Sequence, residues 1–304
     1  MLLLQQMLVL FIYMIFGYVA YKKGFLKEEA SSAFSWGVVN VANPALIISS
    51  AVNGDGSIHG KELLYTFGLS VVVYAVLILL SQTIPRLFYK EGPQRNLYQM
   101  MMVFNNIGFM GFPVISATYG DNALLYASVF LLTYNILQYT YGIQTLQKGT
   151  ENASGLQWKK IFNIGVISCI IATFLYLTQI PVPEVIKTAS KGLSNLTGPL
   201  SMIVIGISLA KMRIRDLFSD KKLLVFSAVK LLIVPIIGAS LISRVISNQL
   251  LSEVCMIILA TPAASMTVML VEQYGGDQKL AAKAVALTTL LSVVTIPIVS
   301  AIVF

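Results

Sequence analysis

Charged residues are scarce in this sequence. Asp, Glu, Lys and Arg make up 11% of the 304 residues, whereas a soluble domain typically carries about 25% because its surface faces water. Hydrophobic residues make up 57%, and the mean hydropathy is +0.80. Most of the outer surface is therefore expected to face hydrocarbon, which argues against a soluble enzyme and predicts a polytopic membrane protein.

Cysteine and histidine are nearly absent. The two cysteines, Cys169 and Cys255, fall inside apolar runs, and the single histidine, His59, lies in a polar loop. This distribution supports neither a disulfide framework nor a metal centre. The sequence also lacks Walker, GxSxG, HExxH and CxxC patterns. We therefore predict that the protein is not an enzyme and has no metal and no cofactor.

Apolar runs recur along the whole chain. A hydrocarbon core of about 30 Å needs roughly 20 apolar residues per helix. Ten runs approach this length, and the short loops between them leave no room for a separate soluble domain. We predict an all-α bundle of ten transmembrane helices, called spans 1 to 10 below. Their approximate bounds are 3–21, 31–52, 62–84, 97–118, 122–146, 161–180, 185–210, 222–246, 251–273 and 279–304.

The positive charges collect on one side of these spans. A net charge of +8 would suit nucleic acid, but in a membrane protein it is typical of cytoplasmic loops rich in Lys and Arg. The loops after the odd-numbered spans carry 16 of the 21 basic residues. We therefore predict a multi-pass protein of the cell membrane with both termini outside and no nucleic-acid partner.

The chain repeats itself weakly with an offset of 155 residues. The Asn-x-x-x-Pro motif at 40–44 falls on that at 195–199, and Tyr-Gly at 119–120 falls on 274–275. A repeat of five spans is odd in number, so the second copy must enter the membrane from the opposite side. Inverted repeats of this kind are typical of secondary transporters.

The repeat divides the chain into two halves. We predict a first five-helix repeat at 1–146, a cytoplasmic linker at 147–160 and a second, inverted repeat at 161–304. Lys148, Lys159 and Lys160 make the linker basic, which agrees with a cytoplasmic location.

Spans 2, 4, 7 and 9 contain residues that interrupt membrane helices. Proline removes a backbone donor and clashes with the preceding turn, and neighbouring Gly, Asn and Thr let the backbone unwind. Such breaks are tolerated where the backbone is buried or lines a cavity. A half-helix N-terminus at the break carries partial positive charge, which suits an anion. We therefore predict a site that binds a carboxylate through neutral donors.

Any one of these residues alone is more often a packing or kink residue than a ligand, since Asn, Ser and Thr also join helices. The prediction depends on the breaks pairing by symmetry, span 2 with 7 and span 4 with 9. The candidates for substrate binding are Asn105, Asn106, Gly108, Thr261, Pro262, Ala263 and Ser265. The candidates for helix breaks and support are Asn40, Asn43, Pro44, Gly111, Pro113, Asn195 and Pro199.

Ionisable residues are missing from the middle of the spans, with one exception. No Asp or Glu lies near mid-span, although proton- and cation-coupled carriers usually need a buried carboxylate. The exception is Lys230 in span 8. It is either a counter-ion for an anionic substrate, or a side chain that snorkels to the cytoplasmic face or binds a structural partner.

Two segments resemble the auxin efflux carrier family, whose bacterial members include malate and malonate permeases. They are NNIGFMGFPVISATYGD at 105–121 and ATPAASMTVMLVEQY at 260–274. Thr261-Pro262, followed by Tyr274, is similar to the family's Leu-Pro crossover in span 9. The residues of span 4 that fit the family pattern are Asn106, Met110, Gly111, Pro113, Tyr119 and Gly120.

The resemblance covers essentially the whole chain. It implies two inverted five-helix repeats, a scaffold region, a mobile transport region with an elevator-like movement, and broken helices 4 and 9 that cross at the substrate site. It also implies that Asn106 and Pro262 form the core of a carboxylate site. The sequence departs from the family where Asn105 replaces a proline and where Asn163 precedes Ile164 instead of proline.

We therefore predict a secondary transporter of small organic anions, mono- or dicarboxylates of auxin-like or malate-like chemistry, working in a lipid bilayer. A homodimer stays open as its assembly. Two alternatives also stay open: a sodium-coupled symporter of the bile-acid type, and a membrane ligand sensor without net transport. Sodium dependence of uptake would distinguish the sodium-coupled symporter. A ligand sensor usually needs an output domain, for which the short loops leave little room.

Overall fold

The computed structural model describes residues 2–54, 58–148 and 161–304. Within these ranges every regular element is a helix, which confirms the all-α prediction. Most of the predicted linker at 147–160 lies outside the described residues. The α-helices are α1 Leu2–Lys22, α2 Glu28–Gly37, α3 Asn43–Asn53, α4 Gly60–Thr83, α5 Pro93–Val103, α6 Phe112–Leu137, α7 Ile143–Leu146, α8 Ile164–Thr178, α9 Glu184–Ser194, α10 Thr197–Ala210, α11 Ile214–Leu217, α12 Lys221–Ala228, α13 Val234–Val245, α14 Gln249–Ala260, α15 Met266–Tyr274 and α16 Gln278–Val303.

Six helical stretches of the described chain are long and apolar enough to cross a membrane, and two shorter apolar helices, α8 and α14, accompany them. Exposed apolar side chains on α1, such as Leu8, Ile12 and Phe16, recur at intervals of four residues and form an outward stripe. The fold is therefore that of a multi-pass helical membrane protein. The six stretches are Leu3–Lys22, Glu28–Asn53, Gly60–Leu87, Glu184–Ala210, Lys221–Val245 and Gln278–Val303.

π-helical turns join several of the α-helices. One at Val38–Ala42 connects α2 with α3, and Asn43 after it keeps helical dihedral angles. Pro44 then stands in the first turn of α3. The wider π turn accommodates a proline, which has no backbone N–H to donate. Span 2 therefore has a π turn where the sequence predicted an unwound segment.

Two glycines end helices at equivalent places of the weak repeat. Gly120 interrupts α6 with a φ of 78°, and Gly275 follows α15 with a φ of 91°. Only glycine adopts these left-handed angles without strain. Each follows a tyrosine, so both copies of the Tyr-Gly motif mark a turn of the chain.

α1 and α10 pack at unusually short range. A Cβ atom built on Gly17 would lie 2.4 Å from Ile203 O, and one on Gly206 would lie 2.0 Å from Met14 O. The two glycines thus let the helix backbones approach each other, as small residues do in membrane helices. Any larger side chain would push α1 and α10 apart.

The helices form two packed groups. In the first group, α1 packs on α10, and α3 packs on α8 and α9. In the second, α4 and α14 pack on α6, and α16 packs on α14 and α15. Contacts between the groups run mainly along α6, which touches α1, α3 and α8. We call them the α1–α10 group and the α6 group.

Ion pairs join loops at opposite ends of the bundle. At one end, Lys211 Nζ lies 2.5 Å from Glu28 Oε1 and joins the loops after spans 1 and 7. At the other, Lys191 Nζ lies 2.9 Å from Asp121 Oδ2 and joins the loop after span 4 to α9. Each pair thus joins segments that an antiparallel bundle of spans places at the same end.

Candidate functional site

The chain leaves the helical path at two places, and the two places meet. α5 ends before Phe104, and α14 ends before Thr261. The backbones then run antiparallel: Asn106 N donates to Pro262 O at 2.8 Å, and Ala264 N donates to Phe104 O at 3.0 Å. We call residues 104–106 and 261–265 the crossing. It brings together the breaks that the sequence predicted in spans 4 and 9.

Asn105 joins the crossing to α14 and to Lys230. Its backbone forms the antiparallel bridge with Ala263, and its side chain is 1% exposed. Asn105 Nδ2 donates to Ile258 O at 2.7 Å, which satisfies one of the free carbonyls in the last turn of α14. Asn105 Oδ1 accepts a hydrogen bond from Lys230 Nζ. The residue that replaces the family's proline is therefore fully engaged with the protein.

Asn106 caps the half-helix that begins after the break. Its Oδ1 accepts from Phe109 N at 3.3 Å, as an N-cap side chain does. Its Nδ2 donates to Ser265 Oγ at 3.1 Å, across the crossing. Asn106 thus joins both breaks, and its amide and the Ser265 hydroxyl form a neutral pair of hydrogen-bonding groups at one point.

Lys230 does not snorkel. It lies in the π turn Val229–Ile233, is 2% exposed, and donates to Asn105 Oδ1. Its position about nine residues into the stretch that begins at Lys221 puts it roughly 14 Å along the axis, too far from the helix end for its stem to reach water. The snorkelling interpretation is wrong, and the structure gives Lys230 a partner at the crossing.

Three further predicted residues contact this region. Asn43 Nδ2 donates to Gly108 O at 3.3 Å, so α3 reaches the half-helix after the break. A Cβ on Gly108 would stand 3.3 Å from the same nitrogen, which makes this approach tight. A Cβ on Gly111 would lie 3.6 Å from both Asn106 O and Thr261 Cγ2.

Other predicted support residues contact different parts of the molecule. Asn40 Nδ2 donates to Trp36 O of its own helix at 3.0 Å. Pro199 stands in the first turns of α10, next to Gly198, and a Cβ on Gly198 would lie 3.9 Å from Pro113 Cβ. Pro113 thus packs against the α1–α10 group.

Two cavities lie near helix ends, away from the crossing. One of about 390 Å³ includes Asn195 and Lys187 in its lining, and one of about 230 Å³ includes Tyr119. Asn53 lines both cavities, and the ion pair of Lys191 with Asp121 contributes one residue to each. Asn195, predicted as a helix-break residue, therefore faces an open cavity.

The sequence reading missed the contribution of α16. Ala263 N donates to Thr288 Oγ1 at 3.2 Å, and Ser292 Oγ contacts Met110 Sδ at 3.2 Å. Both hydroxyls are fully buried. Polar residues inside the apolar run 279–304 were the available signal, because a hydroxyl in a buried helix needs a partner.

The crossing has the electrostatic character of an anion site. Two helical segments begin there, the π turn after Asn106 and α15 after Ser265, and a helix N-terminus carries partial positive charge. Thr267 Oγ1 in the first turn of α15 is buried without a hydrogen-bond partner and has a proton to donate. Among the described residues, the side chains that make hydrogen bonds at the crossing include no acid. These groups can bind a carboxylate through neutral donors.

A comparison with protein families decides the broad assignment. The model of a family described as "Membrane transport protein" matches residues 2–300. The chain belongs to this family. The family is that of the auxin efflux carriers, so the resemblance found in the sequence is confirmed. The membrane transport protein family consists of transporters, which are generally not enzymes.

Two curated relatives of this membrane transport protein are similar over nearly their full lengths. An uncharacterized transporter of Methanothermobacter thermautotrophicus is 24% identical over 304 residues, covering 97% of this chain and 96% of the relative. An uncharacterized transporter of Methanocaldococcus jannaschii is 24% identical over 310 residues, covering 96% of each. The family match and both relatives agree on a membrane transporter.

Proposed function

We propose that this membrane transporter carries small organic anions, mono- or dicarboxylates, by alternating access around the crossing. The observation that carries the proposal is the contact of Asn106 with Ser265 where two helical segments begin. Neutral donors and helix N-termini bind carboxylates without the desolvation cost of a buried cation at the contact itself.

Asn106 is the principal donor in this proposal. Its Nδ2 makes one hydrogen bond, to Ser265 Oγ, and an amide nitrogen has two hydrogens to donate. A carboxylate seated there takes the second hydrogen and the Ser265 hydroxyl. Asn105 does not contact the anion directly, because its side-chain amide already forms hydrogen bonds with Ile258 O and Lys230. Pro262 and Ala263 supply the backbone of the crossing.

We propose further that residues 1–146 and 161–304 are inverted repeats of five spans each. Three features support this: the equivalent left-handed Gly120 and Gly275, the helices that end before Phe104 and Thr261, and the antiparallel direction of the two breaks. Segments related by an inverted repeat run in opposite directions through the membrane.

The packing of the helices supports an elevator movement. In this proposal the α1–α10 group is the scaffold, and the α6 group carries the crossing across the membrane. The close backbone contact at Gly17 and Gly206 makes α1 and α10 one rigid unit. The basic loops face the cytoplasm and both termini lie outside the cell, in accord with the positive-inside rule.

Uptake into proteoliposomes tests the proposal. Labelled malate, malonate and indole-3-acetate are offered to wild type, Asn106→Ala and Asn96→Ala, each with and without imposed proton or sodium gradients. Asn96 is a matched control: it is a buried asparagine on α5, and its Nδ2 donates to Lys148 O at 3.0 Å. We expect saturable uptake of at least one anion, retained in Asn96→Ala and lost in Asn106→Ala.

The outcomes separate the alternatives. Uptake that needs a sodium gradient assigns the sodium-coupled alternative, and binding without uptake assigns a sensor. Uptake that is equal in Asn106→Ala and Asn96→Ala contradicts the site. If none of the three anions moves under any gradient, the carboxylate assignment is wrong.

A further inference from the structure

Lys230 is an ionisable side chain that reaches the crossing from deep inside the bundle. Its ammonium group donates to Asn105 Oδ1, a neutral oxygen. The three ion pairs found among the described residues do not include it. The proposed transport mechanism above makes no use of this charge.

The helices around Lys230 bring no acid to it. Its π turn packs on α12, α13, α14 and α16. The acid on these helices, Glu253, accepts from Gln249 Nε2 at 2.8 Å in an exposed position near the start of α14. The charged residues of the four helices all stand in their first or last two turns; they are Lys221, Lys222, Arg244, Glu253, Lys279 and Lys283.

A buried ammonium without a counter-ion is unfavourable, because its charge has left water and found no opposite charge. Lys230 donates to Asn105 Oδ1, and Asn105 is the chain neighbour of Asn106 in the crossing. In the weakly screening interior, a positive charge acts on an anion bound at a neighbouring residue without direct contact. An anion bound at Asn106 therefore supplies the missing opposite charge.

We propose that Lys230 is the specificity-determining charge of the anion site, acting through Asn105, and that it selects substrates that carry one carboxylate. The inference rests on the function proposed above and narrows its substrate class. One carboxylate neutralises one ammonium. A second carboxylate in the same buried site would have no counter-charge and would retain its full desolvation cost. Lys230 is thus a positioning and selecting residue rather than a direct ligand.

Binding of matched probes to purified protein tests the inference. Indole-3-acetate, its neutral analogue indole-3-acetamide, and malonate are titrated into wild type, Lys230→Gln and Lys230→Arg. Glutamine keeps a donor for Asn105 Oδ1 without the charge, and arginine keeps the charge. We expect wild type and Lys230→Arg to bind indole-3-acetate about tenfold or more tighter than the amide and tighter than malonate. In Lys230→Gln the preference for carboxylate over amide falls severalfold, and the preference that remains is due to the helix N-termini and the neutral donors.

Asn105→Asp gives an independent second test if Lys230→Gln does not fold. It places a carboxylate against Lys230 and must remove the same preference. A purely structural Lys230 would change the unfolding temperature of Lys230→Gln and leave the carboxylate-to-amide ratio unchanged, which overturns the inference. Tighter binding of malonate than of indole-3-acetate to the wild type overturns the selection for one carboxylate. Failure of the wild type to bind either anion contradicts the proposed function itself, and the inference falls with it.

Discussion

Asn105 and Asn106 are neighbours in the chain with different tasks at the crossing. Asn105 Oδ1 accepts a hydrogen bond from Lys230, and Asn105 Nδ2 donates one to Ile258 O, so both polar atoms of the side chain bind the protein. Asn106 caps a half-helix and meets Ser265 on the opposite break. In the proposed site, the first residue therefore serves mainly stability, and the second serves ligand binding.

This division predicts that Asn105→Ala mainly lowers stability and that Asn106→Ala mainly lowers anion binding. Asn105→Ala removes the partner of the Lys230 ammonium, whereas Ile258 O keeps the hydrogen bond from Thr261 Oγ1 at 2.7 Å. Each buried polar group left unpaired costs about 1–3 kcal/mol, so we expect a clearly lower thermal unfolding temperature in detergent. We expect Asn106→Ala to lose anion binding with a smaller stability loss, because removing an N-cap typically costs about 0.5–2 kcal/mol and leaves no buried ammonium without a partner.

The control for this measurement is Asn96→Ala, which loses a single hydrogen bond to Lys148 O near a helix end. We expect its unfolding temperature to lie above that of Asn105→Ala. Equal unfolding temperatures for the two variants would show that the contacts of Asn105 contribute little to the fold.

For single residues, the sequence predicted which side chains lie at the crossing better than it predicted their hydrogen-bond partners. Asn105, Asn106, Pro262 and Ser265 do meet. The partner of Lys230 could not be predicted, because a helix that is apolar on all sides gives no signal for its rotation about its own axis. Thr288 was missed although a hydroxyl inside the apolar run 279–304 indicates that a partner is needed.

Among the helices, the contact of α1 with α10 sets the tightest constraint. The backbone of each helix occupies the space that a side chain on Gly17 or Gly206 would need. Small residues permit such contacts in membranes, where packing rather than hydrophobic burial drives helix association. The pair is therefore a close backbone contact that tolerates no larger side chain at these two positions.

We predict that Gly206→Ala destabilises the protein. Its Cβ would lie 2.0 Å from Met14 O and 2.8 Å from Tyr18 N, so α1 and α10 must separate. Overpacking of this kind typically costs about 1–3 kcal/mol. Gly68→Ala on α4 is the matched control, because a Cβ there meets nothing within 4 Å. Fluorescence-detected size-exclusion after heating compares the two, and equal unfolding temperatures would contradict the close contact.

The all-helical fold was predicted correctly, whereas six stretches of the described chain are long and apolar enough to span a membrane and the ten spans stay a prediction. The bounds of α4 and α16 follow their apolar runs closely. The π turn at Val38–Ala42 was not predicted, because a change from one helical hydrogen-bonding pattern to another leaves the hydrophobic pattern nearly unchanged. Proline at position 44 was a signal of disturbance, and its physical result is a wider turn rather than a break.

At the scale of the whole molecule, the account depends on two groups of helices and one site at their boundary. The crossing belongs to the α6 group, and Asn43 of α3 reaches it from the α1–α10 group. A site in this place changes its surroundings when one group slides past the other. The weak repeat in the sequence predicted the symmetry of the breaks, the family resemblance implied that the breaks in spans 4 and 9 cross, and the structure shows the hydrogen bonds that join them.

Accessibility of residue 265 tests this account most directly. Ser265→Cys protein in proteoliposomes is labelled with a membrane-impermeant thiol reagent from either side, with and without malate, malonate or indole-3-acetate. The native cysteines are buried and give little background. Thr188→Cys is the control. Thr188 is exposed, lines the 390 Å³ cavity and is not one of the crossing residues.

The account predicts that Ser265→Cys reacts from both sides of the membrane and that a transported anion slows both reactions. The reaction of Thr188→Cys should occur from one side and be indifferent to the anion. Labelling of Ser265→Cys that a saturating transported anion does not slow from either side would contradict the claim that the crossing is the anion site.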